Sequence, residues 1–195
     1  VVVGGGPCGS FSAFTAARLG AEVSVFEEHK EIGVPHHCAG HLSIAGLKQL
    51  GLRLPPNLIE NEIKGAIFHS PSGKKFAVRF PSPVTCVVNR ELFDKFLSDL
   101  AIKSGARYFL ESRVRSFAFN SGSIGGVAVK KGRGQKNLAS SIVIDAEGCS
   151  SALLKKTGLQ ILDISMIVRA VQAEVDRVDD IDLDMVEVYL GRKYA

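Results

Sequence analysis

The sequence predicts an α/β fold that opens on a βαβ unit. Residues 1–3, "VVV", form an apolar run typical of a buried strand, and a glycine-rich turn follows. The small residues of "SFSAFTAARLG" predict a closely packed helix that ends at Gly20, and "AEVSVFE" predicts a second strand ending at Glu27. Such a unit has parallel strands and a right-handed crossover.

Composition limits the class of protein. The chain has 195 residues, 46% of them hydrophobic, which is enough for one sizeable core or for a domain and part of another. The net charge of +4 is mild, and the basic residues are not interleaved with aromatic ones, so nucleic acid is not an expected partner. No apolar run approaches the roughly 20 residues that a membrane-spanning helix needs.

The four cysteines are scattered and form no CxxC pair: Cys8, Cys38, Cys86 and Cys149. We interpret them as free thiols in a reducing compartment, which favours a cytoplasmic location. The basic tract "KKGRGQK", residues 130–136, favours a solvated hairpin tip over a contact with an anionic surface. The chain starts without Met inside an apolar run, and we expect it to be a fragment.

Further elements follow along the chain. Apolar alternation around "PSGK" predicts a hairpin over residues 63–80, and one apolar face predicts a helix over residues 90–105. A helix is also expected over residues 42–51 and a short one in "SSALLKKTG". The remaining strands are expected in "TCVVN", "ARYFLES", "RVRSFAFN", "IGGVAVKK", "ASSIVIDAEG", "MIVRAVQAEV" and "MVEVYLG".

The glycine-rich turn indicates a dinucleotide site. Gly4, Gly6 and Gly9 have G-x-G-x-x-G spacing, in which the first allows a tight turn, the second lets a pyrophosphate approach, and the third lets helix and strand pack closely. The helix that follows offers free N–H groups and the positive end of its dipole to phosphates. Glu27 ends the second strand, where an acid accepts hydrogen bonds from a ribose diol.

The order of elements after Glu27 favours FAD over NAD as the cofactor. An NAD-binding domain would continue with a third βα unit, whereas this chain continues with a long loop, a hairpin, a helix and a meander. That order, with "VVNRELFDKFLSDLAIKSGARYFLESRV" and "IVIDAEGCSSALLKKTGL", resembles the FAD-dependent oxidoreductases of the aromatic-hydroxylase, glutathione-reductase-like fold. The segment "EEHKEIGVPHHCAGHLSIAGLKQLGL" is similar to the geranylgeranyl reductase family, and most closely to its archaeal lipid-biosynthesis branch.

The resemblance implies roles for particular residues. Cys8 would contact the FAD phosphates through its backbone, in the cofactor-binding turn of Gly4, Gly6 and Gly9. Glu27 would bind the adenosine ribose, and Arg90 would pair with the phosphate–ribitol part. Val114 would lie near the adenine. Glu147, where the family usually has Asp, would contact the cofactor with Gly148, and Asp145 stands where the family usually has Gly. Cys38, Ala39 and His41 would lie along the flavin.

The loop "GVPHHCAGHLS" leaves alternatives open. His36, His37, Cys38 and His41 are residue types that bind zinc, but adjacent histidines tend to point apart and no second ligand pair has a usual spacing. A catalytic Cys–His pair for acyl chemistry would lack an orienting acid or amide nearby. We therefore favour a loop that faces the flavin, with no metal, and Cys38 as the candidate catalytic residue.

The resemblance also implies an activity. The expected function is reduction of C=C bonds in geranylgeranyl chains, with hydride from reduced FAD and with NADPH, ferredoxin or another donor supplying electrons. The expected partner is a polyprenyl lipid, reached by a peripheral contact with a membrane surface. A flavin monooxygenase or halogenase, and a non-catalytic FAD electron-transfer module, are the alternatives with the same fold.

The predicted domain organisation is discontinuous. Residues 1–57 and 84–158 are expected to form the Rossmann-like FAD-binding domain. Residues 58–83 and 159–195 are expected to begin a mixed-sheet domain that binds the substrate.

Overall fold

The computed structural model describes residues 1–35, 38–132, 134–159, 163–168, 170–176 and 178–192. The chain divides into two compact units. The first unit contains residues 1–36 and 91–170, and the second contains residues 37–90 and 171–195. The functional domain boundaries expected from the sequence stay a prediction.

The strands and helices are named here in chain order. The strands are β1 (Val2–Val3), β2 (Ser24–Phe26), β3 (His41–Ser43), β4 (Ile59–Ile63), β5 (Gly65–His69), β6 (Lys75–Arg79), β7 (Thr85–Val88), β8 (Arg107–Phe109), β9 (Arg113–Asn120), β10 (Ser123–Lys131), β11 (Gly134–Ala139), β12 (Ile144–Asp145) and β13 (Met185–Tyr189). The α-helices are α1 (Pro7–Arg18), α2 (Ile44–Gln49) and α3 (Arg90–Lys103). Short 3₁₀ turns cover Pro56–Leu58, Gly148–Ser150, Leu154–Lys156 and Ile164–Met166.

A parallel sheet organises the first unit. Its strand order is β12-β1-β2-β8, and each neighbouring pair is parallel. Helix α1 packs on this sheet through Ala13 and Ala17, which join Val2, Val25 and Ala101 in one buried cluster. Because alanine side chains are short, the helix lies close to the strands, and this places the turn between β1 and α1 at the carboxyl edge of the sheet.

An antiparallel meander, β9-β10-β11, completes the first unit. Val114, Phe117, Val127 and Val129 of the meander are buried with Phe26 of the parallel sheet. Val127 and Val129 alternate along β10, and a register shift in the β9–β10 pairing lets Val114 and Phe117, three residues apart on β9, join the same packed face. The βαβ unit and the meander confirm the predicted α/β fold class.

The second unit contains two small sheets. One has the order β3-β7-β4, with antiparallel pairs, and the other has the order β13-β5-β6, in which β13 is parallel to β5. The predicted hairpin of residues 63–80 is confirmed by β5 and β6. Gly40 has φ +72°, and a Cβ on it would lie 2.1 Å from the Val88 oxygen, so only glycine fits beside β7.

Two sequence predictions need correction. Residues 42–51 were expected to be helical throughout, but Leu42 and Ser43 belong to β3, and α2 begins at Ile44 because the Ser43 hydroxyl accepts the Gly46 N–H at 3.1 Å. The predicted strand over Met166–Val175 is wrong: its described residues, 166–168 and 170–175, contain no strand. Their alternation of apolar residues fits a strand, but no described strand pairs with them.

Candidate cofactor site

The turn between β1 and α1 requires glycine at two positions for steric reasons. Gly4 has φ +94°, and a Cβ there would lie 2.4 Å from the Ala146 oxygen. A Cβ on Gly9 would lie 1.9 Å from the Gly4 oxygen. The first glycine therefore makes the tight turn, and the other lets α1 begin against that turn.

Gly6 is different, since neither its backbone nor its packing requires glycine. Its φ of −70° and ψ of −173° are accessible to any residue, and a Cβ on it would meet nothing within 4 Å. The space above Gly6 is therefore open at the point where the first-turn N–H groups of α1 lack intrahelical partners. Cys8 is exposed in that first turn. This open cradle fits the pyrophosphate of a dinucleotide.

Glu27 is held in place from two sides. Its side chain is buried, with its residue only 9% exposed. One carboxylate oxygen accepts the Gly5 N–H at 2.7 Å, and the other accepts the His29 N–H at 2.9 Å and lies 2.6 Å from His29 Nδ1. The acid at the end of β2 is thus fixed beside the glycine turn.

A cleft of about 540 Å³ runs along these groups in the first unit. A volume of this order is typical of small-molecule and cofactor sites. The sequence-predicted cofactor residues that line this cleft are Gly4, Gly6, Glu27, Val114, Glu147 and Gly148. Gly9 lies beneath the turn and Cys8 at the start of α1, beside the cleft residues but outside its lining.

Sequence reasoning missed six charged residues that line the cleft: Glu28, Glu31, Asp94, Arg113, Arg115 and Lys156. Asp94 is only 7% exposed, whereas the apolar Leu92, two residues earlier on α3, is 41% exposed. The buried residues of α3 are Phe93, Asp94, Leu97, Ser98 and Ala101, so its buried face includes two polar residues that the pattern of apolar residues does not identify.

The turn after β12 carries Glu147 in a structural contact. One Glu147 oxygen accepts the N–H groups of Leu153 and Leu154, at 2.7 and 3.1 Å, and so caps the following 3₁₀ turn. The Glu147 N–H donates to Asp145 at 3.2 Å. Burial raises the pKa of the Asp145 carboxyl above its ordinary value, although the Glu147 N–H opposes that shift.

Four predicted residues belong to the second unit or to its boundary: Cys38, Ala39, His41 and Arg90. Cys38 and Ala39 are exposed, and His41 Nε2 lies 2.5 Å from the Thr85 hydroxyl. Arg90 is half-buried at the first position of α3. Their placement along a flavin stays a prediction.

The metal alternative concerns residues that are only partly described. Within the described parts of the chain, no three His, Cys, Asp or Glu side chains come together as metal ligands would. His36 and His37, on which a zinc site in this loop would depend, lie outside the described residues.

The parallel sheet, the glycine cradle and the anchored acid define a dinucleotide-binding domain. The family model described as FAD-dependent oxidoreductase matches residues 1–161. The chain therefore belongs to the FAD-dependent oxidoreductase family, and FAD is its cofactor.

Known proteins that are similar to this chain support its resemblance to the geranylgeranyl reductase family. Digeranylgeranylglycerophospholipid reductase 2 of Methanothermobacter thermautotrophicus is 33% identical over 196 residues, which cover 100% of this chain and 51% of the relative. A geranylgeranyl bacteriochlorophyll reductase-like protein from Thermoplasma acidophilum has a crystal structure that matches with a TM-score of 0.83 and 30% identity. That match covers 98% of this chain and 49% of the other.

A more distant structure shows the fold alone. A triple variant of a flavin-dependent brominase matches with a TM-score of 0.67 and 21% identity, over 80% of this chain and 40% of the other. The chain spans about half the length of the curated relatives it matches.

Proposed function

We propose that the protein is an FAD-dependent reductase that saturates the C=C bonds of geranylgeranyl chains in archaeal membrane lipids. The observation that carries this proposal is the similarity to a digeranylgeranylglycerophospholipid reductase along the entire chain. The cleft supports it, because the glycine turn and Glu27 offer FAD its phosphate and ribose contacts.

When bound and reduced, FAD supplies the hydride for one alkene carbon. The residues of the chain then have two tasks, to hold the cofactor and to give a proton to the other carbon. Gly6 and the first turn of α1 bind phosphate, and Glu27 accepts hydrogen bonds from the ribose. Arg90 pairs with the phosphate–ribitol part in this proposal.

Cys38 is the proposed proton relay. An isolated alkene is a poor hydride acceptor, so the proton has to be delivered at close range from a site that excludes water. The Cys38 thiol is exposed within the second unit and carries a transferable proton. Ala39 and Gly40 beside it have little or no side chain, which would let a flat ring approach the backbone.

The proposed partners are a polyprenyl lipid and an electron donor such as NADPH or ferredoxin. A lipid substrate also implies a peripheral contact with the membrane surface. In the described part of the chain, no helix is long and apolar enough to cross a bilayer. We therefore propose that the enzyme takes its substrate from the membrane surface.

An anaerobic turnover assay separates this function from the monooxygenase and halogenase alternatives. Full-length protein with FAD is reduced with dithionite, freed of excess reductant and mixed with digeranylgeranylglycerophospholipid without oxygen. We expect flavin reoxidation together with a gain of two hydrogens per double bond in the lipid mass spectrum. Reoxidation only after oxygen is admitted, with no saturated lipid, would contradict the proposed reductase activity.

The role of Cys38 is tested by Cys38→Ser in the full-length protein. We expect FAD binding to stay unchanged and lipid reduction to fall at least about a hundredfold, as for loss of a general acid. Cys149→Ser is the matched control, since Cys149 is also an exposed thiol. Equal turnover in the two variants would remove Cys38 from the mechanism.

A further inference from the structure

A second cavity, of about 470 Å³, lies at the β8 edge of the parallel sheet in the first unit. Strands β2 and β8 form one wall of this edge pocket, and the β10–β11 hairpin forms the other. We define the edge pocket by Phe26, Arg107, Phe109, Val129, Lys131 and Lys136. The proposed reductase activity does not involve this cavity.

Both walls combine apolar and basic side chains. On the sheet, Ser24 is in register with Arg107, and Phe26 is in register with Phe109. The two phenylalanine rings stack with centroids 4.9 Å apart, and Phe109 remains 38% exposed. Side chains two residues apart on a strand share a face, so Val129 and Lys131, the last residue of β10 before the hairpin turn, face the same side. Lys136 lies opposite Val129 in the register.

The charge of the edge pocket favours an anion. Among the described residues that line it, three are cationic and none is acidic. Arg107 already pairs with Glu22, which leaves the ammonium groups of Lys131 and Lys136 for a ligand. Cations on a compact cavity attract phosphate, and an exposed aromatic face attracts a flat ring.

We infer that the edge pocket binds a phosphorylated ring compound of mononucleotide size. The cavity volume lies in the range of small-molecule sites, and its stacked rings and its lysines suit the two halves of such a ligand. The ligand could be a free mononucleotide or one half of a dinucleotide, which share this chemistry. The inference does not depend on alkene reduction.

The edge pocket adjoins the cofactor cleft without including its glycine turn. Phe26 and Ser112 line both cavities, whereas Gly4, Gly6 and Glu27 line only the cleft. A ligand of the edge pocket should therefore bind while FAD is in place. The binding experiment therefore uses protein that is saturated with FAD.

The test is calorimetric titration of the full-length, FAD-saturated protein with AMP and, separately, with NADP⁺ at low ionic strength. We expect saturable binding that Lys131→Glu weakens about tenfold. Lys130→Glu is the matched control, because Lys130 is the next residue on the same strand and does not line the cavity. Phe109→Leu should weaken binding as well, whereas Phe119→Leu, at an exposed ring outside the cavity, should not.

Each outcome supports or overturns the inference. Tighter binding of NADP⁺ than of AMP, with the same lysine dependence, identifies a dinucleotide ligand, and the reverse order identifies a mononucleotide. No binding of either probe, equal weakening by Lys130→Glu, or binding that FAD abolishes would overturn the inference. Inorganic phosphate that binds as well as AMP would also overturn it, since the ring would then contribute nothing. These results are independent of whether the lipid is reduced.

Discussion

A contact between Glu27 and His29, two residues apart in the sequence, holds the carboxylate of the cofactor site in position. Glu27 Oε1 receives the His29 N–H and lies 2.6 Å from His29 Nδ1, while Oε2 receives the Gly5 N–H. The sequence placed Glu27 correctly at the end of β2 but gave His29 no role, because a histidine in a loop carries no pattern that pairs it with a carboxylate. His29 is thus a positioning residue for the acid that we assign to the ribose.

Replacing His29 should weaken cofactor binding. His29→Ala removes the imidazole contact, and we expect the Kd for FAD, measured by flavin fluorescence on the apoprotein, to rise about tenfold. His29→Asn can donate from a similar position and should restore most of the affinity. If His29→Ala binds FAD as wild type does, or if Asn rescues nothing, the positioning role is wrong.

Asp145 should make the protein less stable as pH rises. Burial raises the pKa of its carboxyl in the folded state above the ordinary value of 3.8. Because the folded state then binds the proton more tightly than the unfolded state, stability is lost as pH rises through and above 3.8. Asp145→Asn keeps an acceptor for the Glu147 N–H and removes the charge.

We therefore expect Asp145→Asn to raise the Tm of the apoprotein at pH 7 by about 1–2 °C and to leave it unchanged near pH 3. Differential scanning calorimetry at the two pH values measures the effect. A variant that is less stable than wild type at pH 7 would contradict it.

At the scale of elements, local sequence patterns predicted structure in both units. The glycine turn predicted the βαβ unit, and turn residues between apolar alternations predicted the β5–β6 hairpin, all of which are confirmed. The prediction of a strand over Met166–Val175 was wrong, because alternating apolar residues identify a segment that could pair in a sheet but do not identify a neighbouring strand for it. Val171 there is fully exposed.

Strand β13 is held to its neighbouring strands by strand pairing and by ion pairs at its start. It pairs in parallel with β5, and the preceding residue, Asp184, accepts hydrogen bonds from Arg79 at 2.8 and 3.0 Å and pairs with Lys64 at 3.0 Å. The hydrogen bond from Lys64, with further contributions that include Arg79, lowers the pKa of the Asp184 carboxyl. The carboxylate thus stays charged and links the start of β13 to β5 and β6.

Asp184→Asn should loosen β13 selectively. The amide keeps its place but loses the charge that attracts two cations, so we expect faster amide hydrogen exchange over Met185–Tyr189. Asp163→Asn is the control, since the Asp163 carboxylate contacts only its local neighbour Ser165 in the hydrogen bonds described. Exchange in β13 that is equal in the two variants would show that the ion pairs do not hold the strand.

At the scale of the whole molecule, the candidate site could be predicted where it depends on local sequence. Gly4 and Gly6 of the glycine turn, Glu27, Val114 and the Glu147–Gly148 turn all line one cleft, and their contacts with FAD stay a prediction. The charged lining residues Arg113 and Arg115 were missed, since alternate residues of one strand reach this cleft only after the meander packs on the sheet. The loop with Cys38 carries the most specific sequence signal, and its role stays a proposal.

The central claim is that the open space above Gly6 exists for the FAD pyrophosphate, and Gly6→Ala tests it most directly. Because its backbone suits any residue and an added Cβ meets nothing, we expect the apoprotein to keep its Tm within about 2 °C while its affinity for FAD falls at least about tenfold. Gly9→Ala is the contrast, since its Cβ would lie 1.9 Å from the Gly4 oxygen and should lower the Tm itself. We expect a stable Gly6→Ala protein whose affinity for FAD is lower than that of the wild type. A stable Gly6→Ala protein that binds FAD as tightly as wild type would contradict it.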